Sequence, residues 1–164
     1  MTFKKIIFIC VFLPATLFSA VHFPPQCRVS GLRYSKHAIL FFSQHTAKPR
    51  LYVMTNISKN LIWLTHERKN PGVGAGWDSQ LRSKRWSALL VTQRQLDLQC
   101  HVQLHSGTIK MIPCEKVLRA CQFSQFYFQN PMSGGFWVVE DLPIKALEKR
   151  IQARGFHVTG LQQQ

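Results

Sequence analysis

Seven histidines and five cysteines are the side chains of this chain most able to hold a metal or carry out redox chemistry, so their spacing is the first test of function. His101 and His105 stand four apart. On a helix that interval would aim two imidazoles at one metal ion, as metalloprotease helices do. The residues around them do not read as helix. From Gln95 to His105 every even position is apolar or cysteine (Leu96, Leu98, Cys100, Val102, Leu104) and every odd one is polar, which is the alternation of a strand with one wet face. On a strand the two imidazoles lie roughly 13 Å apart and cannot share an ion unaided. His22, His37, His45, His66 and His157 show no ligand spacing, and no metal site is expected.

The cysteines point elsewhere. Cys10 falls in the apolar leader described below, which leaves Cys27, Cys100, Cys114 and Cys121. None forms the Cys-x-x-Cys pair of a zinc or dithiol redox site. An even number in an exported chain favours two disulfides. If 113–121 is a short helix, Cys114 and Cys121 sit about 10 Å apart, past the roughly 7 Å limit for bridging, and pair instead with Cys27 and Cys100. If that segment turns and becomes a strand, a Cys114–Cys121 loop is possible. Three connectivities stay open.

Other catalytic constellations find no support. There is no Gly-x-Ser-x-Gly elbow, no phosphate loop ending in Lys-Ser or Lys-Thr, and no His-Glu-x-x-His. Gly72, Gly74 and Gly76 lack the spacing of a dinucleotide fingerprint, and Trp77-Asp78 follows them where that fold needs a helix. Glu140 and Asp141 adjoin at an expected strand-to-helix junction, where Asp141 reads as a helix cap. Asn56-Ile57-Ser58 matches the glycosylation sequon by pattern alone. No catalytic residue and no cofactor is predicted.

Composition sets the compartment and the partners. Lys4 and Lys5 precede an apolar run from Ile6 to Phe18 and the small pair Ser19-Ala20, the layout of a secretory signal peptide over residues 1–20. The run is too short to span a bilayer, which takes roughly twenty residues. Residues 21–164 then form one exported domain, periplasmic or secreted. Twenty-one Lys and Arg against seven Asp and Glu give a net charge of +14, or +12 once Lys4 and Lys5 leave with the leader. Such a surface attracts polyanions. Nucleic acid is not expected of an exported chain without a nucleic-acid module; lipid phosphates or an anionic envelope polymer, whether polysaccharide or the carboxylates of peptidoglycan, fit the compartment better.

The elements that must position these residues are mostly strands. Leu51–Thr55 and Leu61–Thr65 are short apolar runs separated by turn residues, and predict a hairpin or a pair of facing strands. Trp86–Thr92 is a third run, Gln95–His105 a fourth, and a turn at Ser106-Gly107 returns the chain through Ile109 and Met111. Further strands are expected at Arg28–Tyr34, Ala38–Phe42, Phe123–Phe128 and Phe136–Glu140. Ile144, Leu147 and Ile151 recur at helical spacing after Pro143 and before Gly155. The predicted fold is mainly β: an antiparallel β-sandwich with one C-terminal helix. That helix displays Lys145, Lys149, Arg150 and Arg154 on its outer face, and Arg82, Lys84 and Arg85 form a second basic stretch.

The segment Asn70-Pro71-Gly72-x-Gly74-Ala75-Gly76-Trp77-x-Ser79-Gln80-Leu81, followed by Trp86-Ser87-Ala88-Leu89, Pro113-Cys114-Glu115-x-Val117-Leu118-x-x-Cys121 and Gly135-x-Trp137-Val138-x-Glu140, resembles the enhanced entry protein family, in particular its EnhB-like members in Legionella and relatives. The likeness runs from about Leu51 to Phe156. Val73 and the basic 82–85 connection depart from the pattern and bear on any shared binding specificity. The resemblance implies a small exported protein associated with host-cell entry and virulence that acts by binding an envelope or host protein, not by catalysis. A peptidoglycan-acting envelope enzyme, or a regulatory partner of one, is the alternative. Gly72, Gly74, Gly76, Trp77 and Gln80 are expected to form a tight, largely buried crossing between strands and only secondarily a recognition loop.

Overall fold

The computed structural model describes residues 21–23, 27–28, 32–42, 50–66, 77–91, 95–104, 106–123, 137–156, 158 and 162–163. Among them the strands are β1 (Val21–His22), β2 (Cys27–Arg28), β3 (Leu32–Tyr34), β4 (Ala38–Phe42), β5 (Arg50–Asn56), β6 (Ile62–His66), β7 (Trp77–Leu81), β8 (Trp86–Val91), β9 (Gln95–Gln103), β10 (Ile109–Ile112), β11 (Leu118–Phe123), β12 (Trp137–Leu142) and β13 (Gln162–Gln163), with one α-helix, α1 (Ile144–Gln152). Every described strand pair is antiparallel. One sheet runs β3-β4-β9-β6-β7 with β10 on β9, the other runs β12-β8-β5-β11-β2, and β1 pairs with β13. The expected sandwich with one C-terminal helix is the fold observed.

β9 is the long strand that organises the first sheet. β4 pairs with its Gln95–Gln99 half and β10 with its Cys100–Gln103 half, while β6 lies along the opposite edge. Its alternation does what the sequence predicts: Leu96, Leu98, Cys100 and Val102 are buried, and Asp97, Gln99, His101 and Gln103 face outward. The inner faces of both sheets meet in one core, where Ile39, Ile62, Leu64, Leu81, Leu96 and Leu98 pack against Tyr52, Met54, Leu89, Val91, Leu118 and Ala120. Each fully buried aliphatic side chain contributes roughly 1.5–3 kcal/mol by leaving water.

β5 and β8 behave differently, because every residue of β8 and all but Arg50 of β5 are buried. Their second face is covered by α1. Leu147 and Ile151 close over Leu51, Val53, Trp86, Ala88 and Leu90 in a second core. Trp86 is fully buried there, with the Phe23 ring edge-on at 5.6 Å. A strand sealed on both faces reads as a continuous apolar run. The molecule therefore stacks three layers, sheet on sheet and helix on sheet.

Several expectations are refined. β5 and β6 are not a hairpin; they lie in different sheets and face each other across the sandwich, with 57–61 as the crossing. Arg28–Tyr34 is not one strand: Arg28 ends β2, and Leu32–Tyr34 is the whole of β3, in the other sheet. The strand expected at Phe123–Phe128 begins earlier, at Leu118, and residues after Phe123 lie outside those described. Asp141 does not cap α1. Pro143 flanks that helix with no side-chain cap, while Asp141 belongs to β12 at a shift in register between Val139 and Leu142. It takes a φ of 50°, rare for a residue with a side chain, and points its carboxylate at Arg82 instead. Gly155, at φ 85°, ends the helix as expected, and the Phe156 N–H donates to the Ile151 carbonyl.

The segment after Pro113 is a mixture of the two forms considered: one 3₁₀ turn at Cys114–Lys116, then β11. Cys114 bonds Cys100 and Cys121 bonds Cys27, with Cα atoms 5.3 and 5.7 Å apart. A local Cys114–Cys121 loop does not form. The Cys100–Cys114 bond lies in the core between the sheets and closes the β9–β10 hairpin. Cys27–Cys121 fastens the two-residue edge strand β2 to β11 across a sequence separation of 94. The longer loop restricts the unfolded chain more, by roughly 1–2 kcal/mol in the chain-entropy account.

Candidate binding surfaces

The sheet that α1 leaves uncovered carries the first candidate surface. Its outer face is set by register: Met111, His101, Trp63 and Gln80 lie in one row across β10, β9, β6 and β7, and Ala38, Gln99, Thr65 and Asp78 in the next. Trp63, Thr65, Gln99 and His101 are half-buried, and Asp78 and Gln80 are exposed. His101 Nε2 and Thr65 Oγ1 are 3.0 Å apart and share a hydrogen bond. The Trp63 indole N–H and the Gln99 side-chain carbonyl are themselves buried and find no hydrogen-bond partner among the described residues. At the rim, His66 Nδ1 sits 2.9 Å from the Asp97 carbonyl oxygen and 3.6 Å from its carboxylate.

Gln80 is the part of the sequence-predicted loop that the fold brings to this face. Residues 77–81 are not loop but the edge strand β7, paired with β6, in which Ser79 and Leu81 are buried and Asp78 and Gln80 exposed. Gly72, Gly74 and Gly76 lie outside the described residues. Trp77 opens β7 opposite His66. Of the glycine-tryptophan segment, the described part, 77–81, forms one strand of this sheet. Trp63, Thr65, Gln99 and His101 on the same face lie outside that segment, although the Gln95–His105 alternation already put Gln99 and His101 on the wet side.

The second surface is basic and lies at one end of the sandwich. The turns 57–61 and 82–85 and the 113–117 connection all cross between sheets at that end. Asn56 ties them together. Its Nδ2 donates to the Asn60 carbonyl at 2.8 Å and the Leu81 carbonyl at 2.7 Å, and its Oδ1 accepts from the Ser58 N–H and hydroxyl. The Asn56 backbone N–H reaches the Arg85 carbonyl, Lys84 N–H the Asn56 carbonyl, and Ile57 N–H the Val117 carbonyl. With Asn56 buried and its amide hydrogens committed, the sequon nitrogen is closed to modification in the folded protein.

The sequence-predicted cations divide over two places. Arg82 and Lys84 are exposed and Arg85 half-buried at the sandwich end, with the Arg82 N–H and Nε both donating to the Asp141 carboxylate. Lys145, Lys149, Arg150 and Arg154 are exposed along α1 and its following turn. Tyr34, whose hydroxyl is 3.4 Å from the Leu118 carbonyl oxygen, lies near this end as well. Burial holds its phenol above the ordinary range; Arg119 opposes that shift and Glu115 adds to it. Among the described residues no three His, Cys, Asp or Glu side chains gather as metal ligands, and no helix is long and apolar enough to cross a membrane.

These features define a disulfide-bonded antiparallel sandwich with a helix on one sheet and, on the other, a polar face over which no described helix lies. No protein-family model, no curated protein and no solved structure matches the chain.

Proposed function

We propose that this chain is an exported protein of the envelope, periplasmic or secreted, that acts by binding another macromolecule, as the resemblance to EnhB-like enhanced entry proteins implies. The observation that carries the reading is the outer face of β9, β6 and β7. Trp63 supplies a half-buried aromatic surface, and Gln80, Thr65 and His101 surround it with polar groups. The two disulfides fit an oxidising compartment. The partner is an envelope or host protein that covers β7 and its neighbours, and host-cell entry is the process in which that contact serves.

A photo-crosslinking residue in place of Gln80, activated in the native envelope, tests the proposal. The expected result is one discrete adduct with an identifiable protein. Asp78→Ala, exposed with Gln80 on β7, is expected to leave the fold intact and weaken the adduct; an adduct unchanged by it would remove β7 from the contact.

A further inference from the structure

The end of the sandwich that gathers the sheet-crossing turns combines two surface properties. It is strongly basic: Lys59, Lys84, Lys110, Lys116 and Arg119 are exposed there beside Arg82, against Glu115 and the Asp141 already bound to Arg82. It is also where the exposed large aliphatic side chains collect. Among the described residues Ile57, Leu104 and Ile109 lie there, with Ile109 60% exposed, while exposed Met111 belongs to the row of His101 and Trp63. Register explains the gathering. Ile62 pairs with Val102, so the β9–β10 hairpin, carrying Leu104 and Ile109, extends past the start of β6 beside the 57–61 turn. The hairpin tip is a formed structure. Leu104 N–H donates to the Thr108 carbonyl, Gly107 N–H donates to the Leu104 carbonyl, and Gly107 takes the φ of 80° that such a turn favours in glycine.

We infer that this end docks on a bilayer containing anionic phospholipid, with Leu104 and Ile109 entering the headgroup region and the surrounding lysines meeting lipid phosphates. Charge alone would suit any polyanion. The aliphatic tip decides for lipid, because isoleucine and leucine gain nothing from a hydrated polysaccharide and gain by burial at the acyl boundary. The bond between Cys100 and Cys114 and the Asn56 hydrogen bonds hold the hairpin and turns as one platform, so little ordering opposes docking. This deepens the binding proposal by naming a second contact; it uses neither Gln80 nor the face around Trp63.

The test is co-sedimentation of the protein, purified after export with its disulfides intact, with phosphatidylcholine vesicles made with and without phosphatidylglycerol. Binding is expected only with phosphatidylglycerol present. Lys59→Glu/Lys110→Glu/Lys116→Glu is expected to lower it at least about tenfold, given the attraction each cation near an anionic leaflet supplies. Leu104→Ser/Ile109→Ser should lower it severalfold and leave its salt dependence in place. Lys149→Glu/Arg150→Glu, on the outer face of α1, should change it much less. No binding to anionic vesicles overturns the inference. So does equal loss from the α1 variant, or binding indifferent to Leu104 and Ile109, which would mark non-specific charge or a soluble polyanion as the ligand. Failure here with the Gln80 adduct retained discards the lipid contact alone. The reverse pair of results discards the protein-partner proposal alone.

Discussion

The outer faces of the two sheets were given opposite treatments by one sequence. On the five-stranded sheet, the outward residues Leu51, Val53, Trp86, Ala88 and Leu90 are apolar, and α1 seals them. On the six-stranded sheet, the outward residues are Trp63, Thr65, Gln80, Gln99 and His101, and the described helix lies elsewhere. A face that packs can be built from shape alone, whereas a face left to water must be polar unless something covers it. Trp63, half-buried on the wet face, therefore stands out among the described residues, while fully buried Trp86 is explained by packing.

Breaking the sealed face should cost most. Trp86→Ala removes the largest side chain beneath α1 and is expected to destabilise by about 3–5 kcal/mol, measured by urea unfolding. Loss of less than about 1 kcal/mol would mean that the helix does not depend on that core. Asn56→Ala strips the Leu81 and Asn60 carbonyls of a shared donor, and about 2 kcal/mol should be lost. The same variant should speed proteolysis within 57–61 and 82–85 before the rest of the chain.

Tyr34 reports on the space between the sheets. Its folded-state pKa is raised above that of the unfolded chain, so the unfolded phenol ionises first as pH rises. Stability associated with it is full below about pH 10 and falls as pH climbs toward the folded-state value. Tyr34→Phe should flatten that alkaline fall in a series of unfolding curves. The smallest effect belongs to the open face. Gln80→Ala and Gln103→Ala should each change stability by no more than about 0.5 kcal/mol, yet Gln80→Ala should weaken the adduct that the neighbouring surface makes.

The same contrast separates what was legible in the sequence from what was not. β9 could be read almost residue by residue, because one wet face writes a period of two into the chain. β8 could be recognised as an apolar run, but a run buried on both faces carries no period, and nothing in Trp86–Val91 says that a helix covers it. The helix itself was legible from Ile144, Leu147 and Ile151. Its start was misassigned at Asp141 because a capping aspartate and an ion-paired one look alike until Arg82, 59 positions away, is brought beside it. Disulfide pairing depended in the same way on contacts distant in sequence. For the site, the glycine-tryptophan segment led to β7 and Gln80, while Trp63 gave no signal, since its role depends on which sheet β6 joins.

The central claim is that the polar sheet face around Trp63 and Gln80, not the helix-covered one, makes the specific contact. Parallel photo-crosslinking from Gln80 and from Lys149 in the native envelope tests it most directly. The account predicts a single discrete adduct from position 80 and none of the same mass from position 149. Identical adducts from both positions, or a discrete adduct from position 149 alone, would contradict it.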